Sequence, residues 1–268
     1  MTNSEAEVLI ERKGSGLWIT LNKPGTMNAL TQDMLAGLKK ALKSAAADLT
    51  LRTVVLTGRG KGFCVGADLA DFNERAKAGK MLGFRSELDS NFHPVINGLR
   101  SLPQLVINRI NGTCAGAGLA IGLAGDIKYA VKGTGFVGAF IKVGLAPDCG
   151  SSYLFAKALG YSKALELFLS RGKVAAEELA AFGLINRVFE TSEAMDREIA
   201  ELSTYVETLP PLALTLTKKT LRLAQEAPAF EAALTNEAAI QDYLGQTKDH
   251  AEGISAFLEK RKPVFTGN

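Results

Sequence analysis

Two runs of strand-forming residues, Thr53-Val54-Val55-Leu56-Thr57 and Leu105-Val106-Ile107-Asn108-Arg109-Ile110, each run straight into a glycine-bearing turn, Gly58 through Gly62 in the first case and Asn111-Gly112 in the second. Such punctuation, with helical segments between the strands, predicts a repeated α/β unit of ββα order. The second unit continues through Gly116-Ala117-Gly118 into an apolar helix, Leu119 to Leu123, and then a further strand, Asp126–Val131. The likeness between units is one of order and not a residue-by-residue repeat. Upstream, Val8–Glu11 and Leu17–Leu21 flank Gly14-Ser15-Gly16 and predict a hairpin that stops at Asn22-Lys23-Pro24-Gly25. From Thr31 onward Met34, Leu35, Leu38, Ala41 and Leu42 recur at helical spacing, with Thr31 placed to cap the start. Past Glu190 the character changes and helices are predicted over Glu193–Thr208, Pro211–Gln225, Phe230–Leu244 and Ala251–Lys260. The expected organisation is an α/β core over residues 1–190 and a helical region over 191–268 that packs on a partner subunit.

A chain of 268 residues is long enough to bury a core without disulfides or metal. Its 31 basic and 28 acidic side chains leave a net charge of +3, which argues against a nucleic-acid or membrane-surface partner. Cys64, Cys114 and Cys149 are an odd count without CxxC or Cys/His spacing, so no disulfide framework and no metal site are expected. A reducing compartment fits such usage. The Met1 to Glu7 start is polar and acidic, unlike a secretory signal, and no apolar stretch approaches membrane-spanning length, so the expected location is cytoplasmic.

The common catalytic templates fail. Gly116 to Gly122 spaces its last glycine one residue too far for a dinucleotide fingerprint, there is no Gly-Lys-Ser/Thr phosphate loop, and no GxSxG elbow accompanies the two histidines, His93 and His250. Two glycine-flanked turns remain, Phe63 to Leu69 and Asn111 to Gly118, each following a strand. Small residues there let backbone N–H groups approach a ligand, and two such groups converging make an oxyanion hole. Taken singly, each reads equally as a tight connection. Between Val143 and Tyr153 a single acid, Asp148, stands among small and apolar residues, and pattern alone favours a helix cap ahead of Gly150-Ser151-Ser152.

Together these segments resemble the crotonase superfamily, the enoyl-CoA hydratases and isomerases. The matching stretches are Leu21 to Pro24, Met27 to Leu30, Gly66-Ala67-Asp68-Leu69, Asn111-Gly112 with Gly116-Ala117-Gly118, Asp126-Ile127, Gly144 to Ser152, and Ala180 to Val188. The resemblance covers nearly the whole chain and is more specific for fold than for reaction. It implies a spiral of ββα units, C-terminal helices that form a homotrimer or a dimer of trimers, and an acyl-CoA thioester substrate, with coenzyme A part of the substrate and no separate cofactor. It also implies that the thioester oxygen is held by the N–H groups of Ala67 and Ala117. Ala67, Asp68 and Leu69 match the segment along the CoA adenine, Met27 the loop over the pantetheine, and Phe257 and Lys260 the CoA-contacting positions of the last helix.

The departures narrow the chemistry. The two hydratase glutamates fall on Ala120 and Phe140, neither able to exchange a proton. Asp148 falls on the single acid/base of Δ3,Δ2-enoyl-CoA isomerases and of ring-1,2-epoxyphenylacetyl-CoA isomerases. Its apolar neighbours Phe140, Leu145 and Ala146 are expected to exclude water and raise its pKa. The expected activity is therefore a double-bond shift in an acyl-CoA, or a related ring isomerisation, through a thioester dienolate. A quiet acyl-CoA-binding subunit, an atypical hydratase and an aryl-CoA dehalogenase are alternatives; the last needs a tryptophan where Phe140 stands and a histidine base, for which His93 is available. Cys149 reads as a buried thiol and not a nucleophile, Lys260-Arg261-Lys262 as a solvated helix end, and Tyr153 and Tyr161 as packing or pocket residues.

Overall fold

The computed structural model describes residues 6–80, 83–170 and 172–268; most of the Met1–Glu7 start lies outside them. Among the described residues ten strands form two sheets. β1 (Val8–Lys13) and β2 (Gly16–Leu21) are the expected antiparallel hairpin, with Lys13 opposite Gly16. Three strand pairs follow, β3 (Thr53–Gly58) with β4 (Gly62–Cys64), β5 (Leu105–Ile110) with β6 (Thr113–Ala115), and β7 (Ile127–Val131) with β8 (Gly135–Val137). β9 (Val174–Ala175) and β10 (Arg187–Phe189) end the series. The first strand of each pair joins one sheet, in the order β1-β2-β3-β5-β7-β10, and the second joins the other, β4-β6-β8-β9. From β2 to β10 the larger sheet is parallel. Each glycine turn is thus the step from one sheet to the next, and the two sheets are laid down together as a spiral.

The central strands of the larger sheet, β3 and β5, are buried on both faces, which explains why they read as continuous apolar runs and not as alternation. Val54 and Leu56 of β3 face α1 (Gln32–Ala47), while Val55 faces the other way, toward Met195, Ile199 and Val206. Thr31 caps α1 as expected, its Oγ1 accepting from Met34 N at 3.1 Å. The connection from β4 to β5 carries α2 (Leu69–Lys77), α3 (Phe84–Glu87), a π turn over Leu88–Phe92 and α4 (His93–Ser101). α5 (Ala117–Leu123) follows β6 and is wholly buried. Asn108, a polar residue at the centre of a buried strand, donates from Nδ2 to the carbonyls of Ile121 and Gly122 at 2.7 and 2.8 Å and so ties the C-terminal end of α5 to β5.

After β8 come α6 (Ser151–Leu159), α7 (Tyr161–Leu169) and α8 (Ala176–Ala181), then beyond β10 the helices α9 (Ser192–Glu207), α10 (Pro211–Glu226), α11 (Phe230–Gly245) and α12 (Lys248–Leu258). α9 covers the outer face of the large sheet through the three residues that meet Val55. α10 is fixed to the core by a half-buried ionic knot, in which Asp126 receives Lys218 Nζ at 2.6 Å, Arg222 Nη2 at 2.7 Å and the amide of Val106 at 2.8 Å. Among the described residues no helix is long and apolar enough to cross a membrane.

α5 lies directly on β4: a Cβ added at Gly118 would stand 2.1 Å from the carbonyl oxygen of Cys64. Because that obstacle is backbone, Gly118→Ala is expected to lower stability by the upper end of about 1–3 kcal/mol or more. Gly245→Ala meets nothing within 4 Å at a helix end and serves as the control, neutral or stabilising. Urea unfolding of both variants measures the contrast.

Candidate active site

The two turns singled out in the sequence meet. Gly66 has φ +92°, a left-handed conformation that favours glycine, and a Cβ there would come within 3.0 Å of both Ala115 O and Ala117 N. The turns therefore touch backbone to backbone. Leu30 pairs with Ala67 in a parallel bridge that uses Gly66 O and Asp68 N, at 2.8 and 3.0 Å, and leaves Ala67 N–H directed away from that partner. Ala117 is the first residue of α5, so its N–H has no acceptor inside the helix.

Ala67 and Ala117 share a cavity of about 310 Å³ with Asp148. Its remaining wall is largely apolar, built on Phe72, Phe84, Leu88, Phe92 and Phe140, and the exposed side chains of Leu69, Phe84 and Val143 mark its mouth. Of the two positions at which a hydratase carries glutamate, Phe140 lines this cavity and Ala120 is fully buried.

Asp148 is not a helix cap. Gly150, with φ +80°, occupies the N-cap position of α6 and no side chain caps that helix; the amide and hydroxyl of Ser151 bond the backbone carbonyl of Asp148 at 2.8 and 2.7 Å instead. Short-range pattern favoured the cap, but the left-handed residues Cys149 and Gly150 turn the carboxyl toward the cavity. Its Oδ1 is buried with no hydrogen-bond partner among the described residues. Burial pushes the carboxyl above its ordinary value, while a hydrogen bond from the Cys149 thiol and the nearby charge of His93 pull the other way. His93 itself opens α4 and bonds Asp89 Oδ1 through Nδ1 at 3.0 Å.

The other expected site residues lie differently. Leu69 is at the cavity mouth. Asp68 caps α2, accepting from Ala70 N and Asp71 N, and takes Lys23 Nζ at 3.1 Å; burial raises its pKa, but the Lys23 hydrogen bond and the capping amides outweigh that and leave it lowered. Met27 is exposed at φ +50° and is not part of the cavity wall. Phe257 lies in a separate apolar groove between α10, α11 and α12, and Lys260 is exposed beyond the helix end, so neither joins Asp148 within one chain. Ala146 is exposed and outside the wall, whereas Phe140 and Leu145 both line it. Cys149 is buried, with its thiol pKa raised chiefly by desolvation. Tyr153 bonds Glu226 at 3.2 Å and Tyr161 is exposed, both away from the cavity.

Sequence reasoning missed the wall contributed by α2, α3 and the π turn, including one further acid, Glu87. That side chain is buried, receiving Arg75 Nη1 at 2.8 Å on Oε1 and Gln32 Nε2 and Asn91 Nδ2, both at 3.1 Å, on Oε2. Burial raises its pKa, but hydrogen bonds from Arg75 and Asn91, the Arg75 charge and Gln32 outweigh that and hold it below the ordinary value. The i, i+4 series Phe84, Leu88, Phe92 was the available signal, though the i+5 bond from His93 N to Leu88 O that shapes the turn has no sequence signature.

Comparison with known proteins gives one consistent result. The enoyl-CoA hydratase/isomerase family pattern matches residues 11–268. The chain is 36% identical to the 1,2-epoxyphenylacetyl-CoA isomerase of Escherichia coli K12 over 93% of its own length and 94% of that protein's, and 31% identical to the 2,3-dehydroadipyl-CoA hydratase of the same organism over 98% and 99%. A crystal structure of an enoyl-CoA hydratase from Polaromonas sp. JS666 superposes with a TM-score of 0.87 at 29% identity, covering 97% of this chain and 99% of that one.

A carboxyl whose pKa is raised by folding favours its neutral form in the native state, so its ionised form costs stability once pH exceeds the folded value. Asp148→Asn is accordingly expected to melt higher than wild type at pH 7, with the gap closing as pH falls through the raised folded value and gone below 3.8, the ordinary aspartate value. Thermal midpoints of both proteins across that range check the sign.

Proposed function

The chain belongs to the enoyl-CoA hydratase/isomerase family, and from that premise we propose that it is an acyl-CoA isomerase with Asp148 as its single acid/base. The observation that carries this reading is the difference between the two carboxylates of the cavity. Glu87 is held by three donors, whereas Asp148 has a buried oxygen without a partner and a raised pKa. A group that must take a proton from carbon and give it back needs free lone pairs and a pKa nearer the working pH. With Ala120 and Phe140 at the positions that the resemblance aligns with the hydratase glutamates, and Glu87 held by three donors, the described residues of the cavity offer no second carboxylate to activate water.

In this reaction the Asp148 carboxylate removes a proton from C2 of a 3-enoyl thioester. The C–H electron pair moves into conjugation, the C3–C4 bond becomes C2–C3, and negative charge collects on the thioester oxygen. Ala67 N–H and Ala117 N–H, which the turn geometry leaves available, stabilise that oxygen; one such donor is worth about 3–4 kcal/mol in barrier. The protonated Asp148 then returns the proton to C4, and nothing is gained or lost overall. Ring isomerisation of an epoxide thioester is an alternative substrate within the same scheme, supported by the likeness to the epoxyphenylacetyl-CoA isomerase. The adenine and pantetheine ends of CoA are proposed to lie along Ala67, Asp68 and Leu69, under Met27, and against Phe257 and Lys260.

Asp148→Asn is expected to bind acyl-CoA within about threefold of wild type and to lose about 10²–10⁴ in turnover of a 3-enoyl-CoA, followed by absorbance of the conjugated product. Wild-type kcat/KM should fall tenfold per pH unit on the acid side, with a midpoint above that of an ordinary aspartate. Binding without turnover by wild type, on both enoyl and epoxide thioesters, would leave an acyl-CoA-binding subunit as the better account. The same reading assembles the chain as a homotrimer or a dimer of trimers, for which Leu221, Phe230, Tyr243, Phe257 and Leu258 supply exposed apolar surface. Sedimentation equilibrium should give three or six chains; a monomer at micromolar concentration would contradict it.

A further inference from the structure

We propose that Glu87 is a specificity-determining residue of the acyl cavity, admitting acyl tails that are apolar or end in a hydroxyl and rejecting tails that end in a carboxylate. The inference rests on the acyl-CoA reading above and concerns the tail alone. Glu87 is a buried side chain in the same cavity as Asp148, and its own neighbours in the wall, Phe72, Phe84, Leu88 and Phe92, are apolar. Its partners are arranged to keep it charged. Arg75, Gln32 and Asn91 all donate, three donors against a carboxylate's capacity of about four lone pairs. Arg75 also pairs with Asp71 at 3.0 Å on α2, and of the Arg75–Glu87 ion pair it is the acid, not the base, that belongs to the cavity wall. Holding the two helices together needs no charge in the cavity, since the ring contact of Phe72 with Phe84, 5.1 Å between centroids, joins the same elements.

A fixed negative end in a low-dielectric wall has two consequences for a tail that reaches it. A terminal carboxylate loses its hydration and meets like charge, while a hydroxyl can donate a charge-assisted hydrogen bond to the lone pair that remains. A purely hydrocarbon wall would treat both polar tails as foreign, and an unpaired hydroxyl there would cost about tenfold or more in affinity.

The test is competition binding of saturated acyl-CoAs of four, six and eight carbons, each with a methyl, hydroxyl or carboxylate end. Saturated thioesters have no double bond to move, so the result stands apart from the isomerase assay. Wild type is expected to bind the hydroxyl-ended chain within threefold of the methyl-ended one at the length that reaches Glu87, and the carboxylate-ended chain at least 100-fold more weakly. Glu87→Gln is nearly isosteric, the amides of Gln32 and Asn91 can turn to meet it, and Arg75 keeps Asp71. That variant should recover tenfold or more of the carboxylate affinity relative to methyl. If wild type binds hydroxyl-ended chains tenfold or more weakly than methyl-ended ones at every length, the proposal is overturned on the native protein alone. Unchanged ratios in a folded Glu87→Gln overturn it as well, and the isomerase reading survives. Failure of every acyl-CoA to bind would remove the acyl cavity itself, and both readings with it.

Discussion

The contact on which the site depends is the one between two pieces of backbone. The turn after β4 and the turn after β6 approach so closely that Gly66 has no room for a side chain against Ala115 and Ala117, and Gly118 none against Cys64. Main-chain groups from segments far apart in sequence can converge on a single ligand atom only at such separations, because any Cβ between them would hold them apart. The spiral supplies that proximity: β4 and β6 are parallel neighbours in the small sheet, so the turns that leave them emerge side by side. Asn108 fixes the far end of α5, and the helix is thereby held at both ends.

The charged groups of the interior divide by what they do. Asp126 is neutralised by Lys218 and Arg222 and serves as an anchor for α10. Glu87 is bound by three donors and keeps its charge. Of the three, Asp148 alone has a buried oxygen with no partner among the described residues, which is costly for stability and is the kind of environment that suits the proton transfer proposed for it. The three carboxylates are chemically alike, and their neighbours alone separate an anchor, a wall residue and the acid proposed as the proton shuttle.

Much of this was legible because it is written in local chemistry. The hairpin around Gly14 to Gly16, the Thr31 cap, the β5 strand to its exact ends and the four C-terminal helices all follow from propensity, period and punctuation. The pair of turns was visible as composition, and their meeting was not, since nothing near Gly66 in the chain refers to Ala117. Asp148 was misjudged by pattern alone because a carboxylate shortly before a helix is usually a cap, and the left-handed backbone at Cys149 is set by packing and not by that residue's preference. Glu87 escaped notice because its partners Gln32, Arg75 and Asn91 come from three separate elements.

The arrangement of the two sheets also decides where such a protein can change. Each rung commits one strand to each sheet, so an insertion inside a rung would break register in both layers at once. The stretch from Asp68 to Gln104 pays no such toll, because the chain leaves the small sheet at β4 and re-enters the large one at β5, and the elements described between are helical. That stretch carries Phe72, Phe84, Glu87, Leu88 and Phe92. Beyond Ala67, which the parallel bridge to Leu30 ties down, the cavity wall that this stretch supplies can therefore be rewritten without disturbing the register of either sheet.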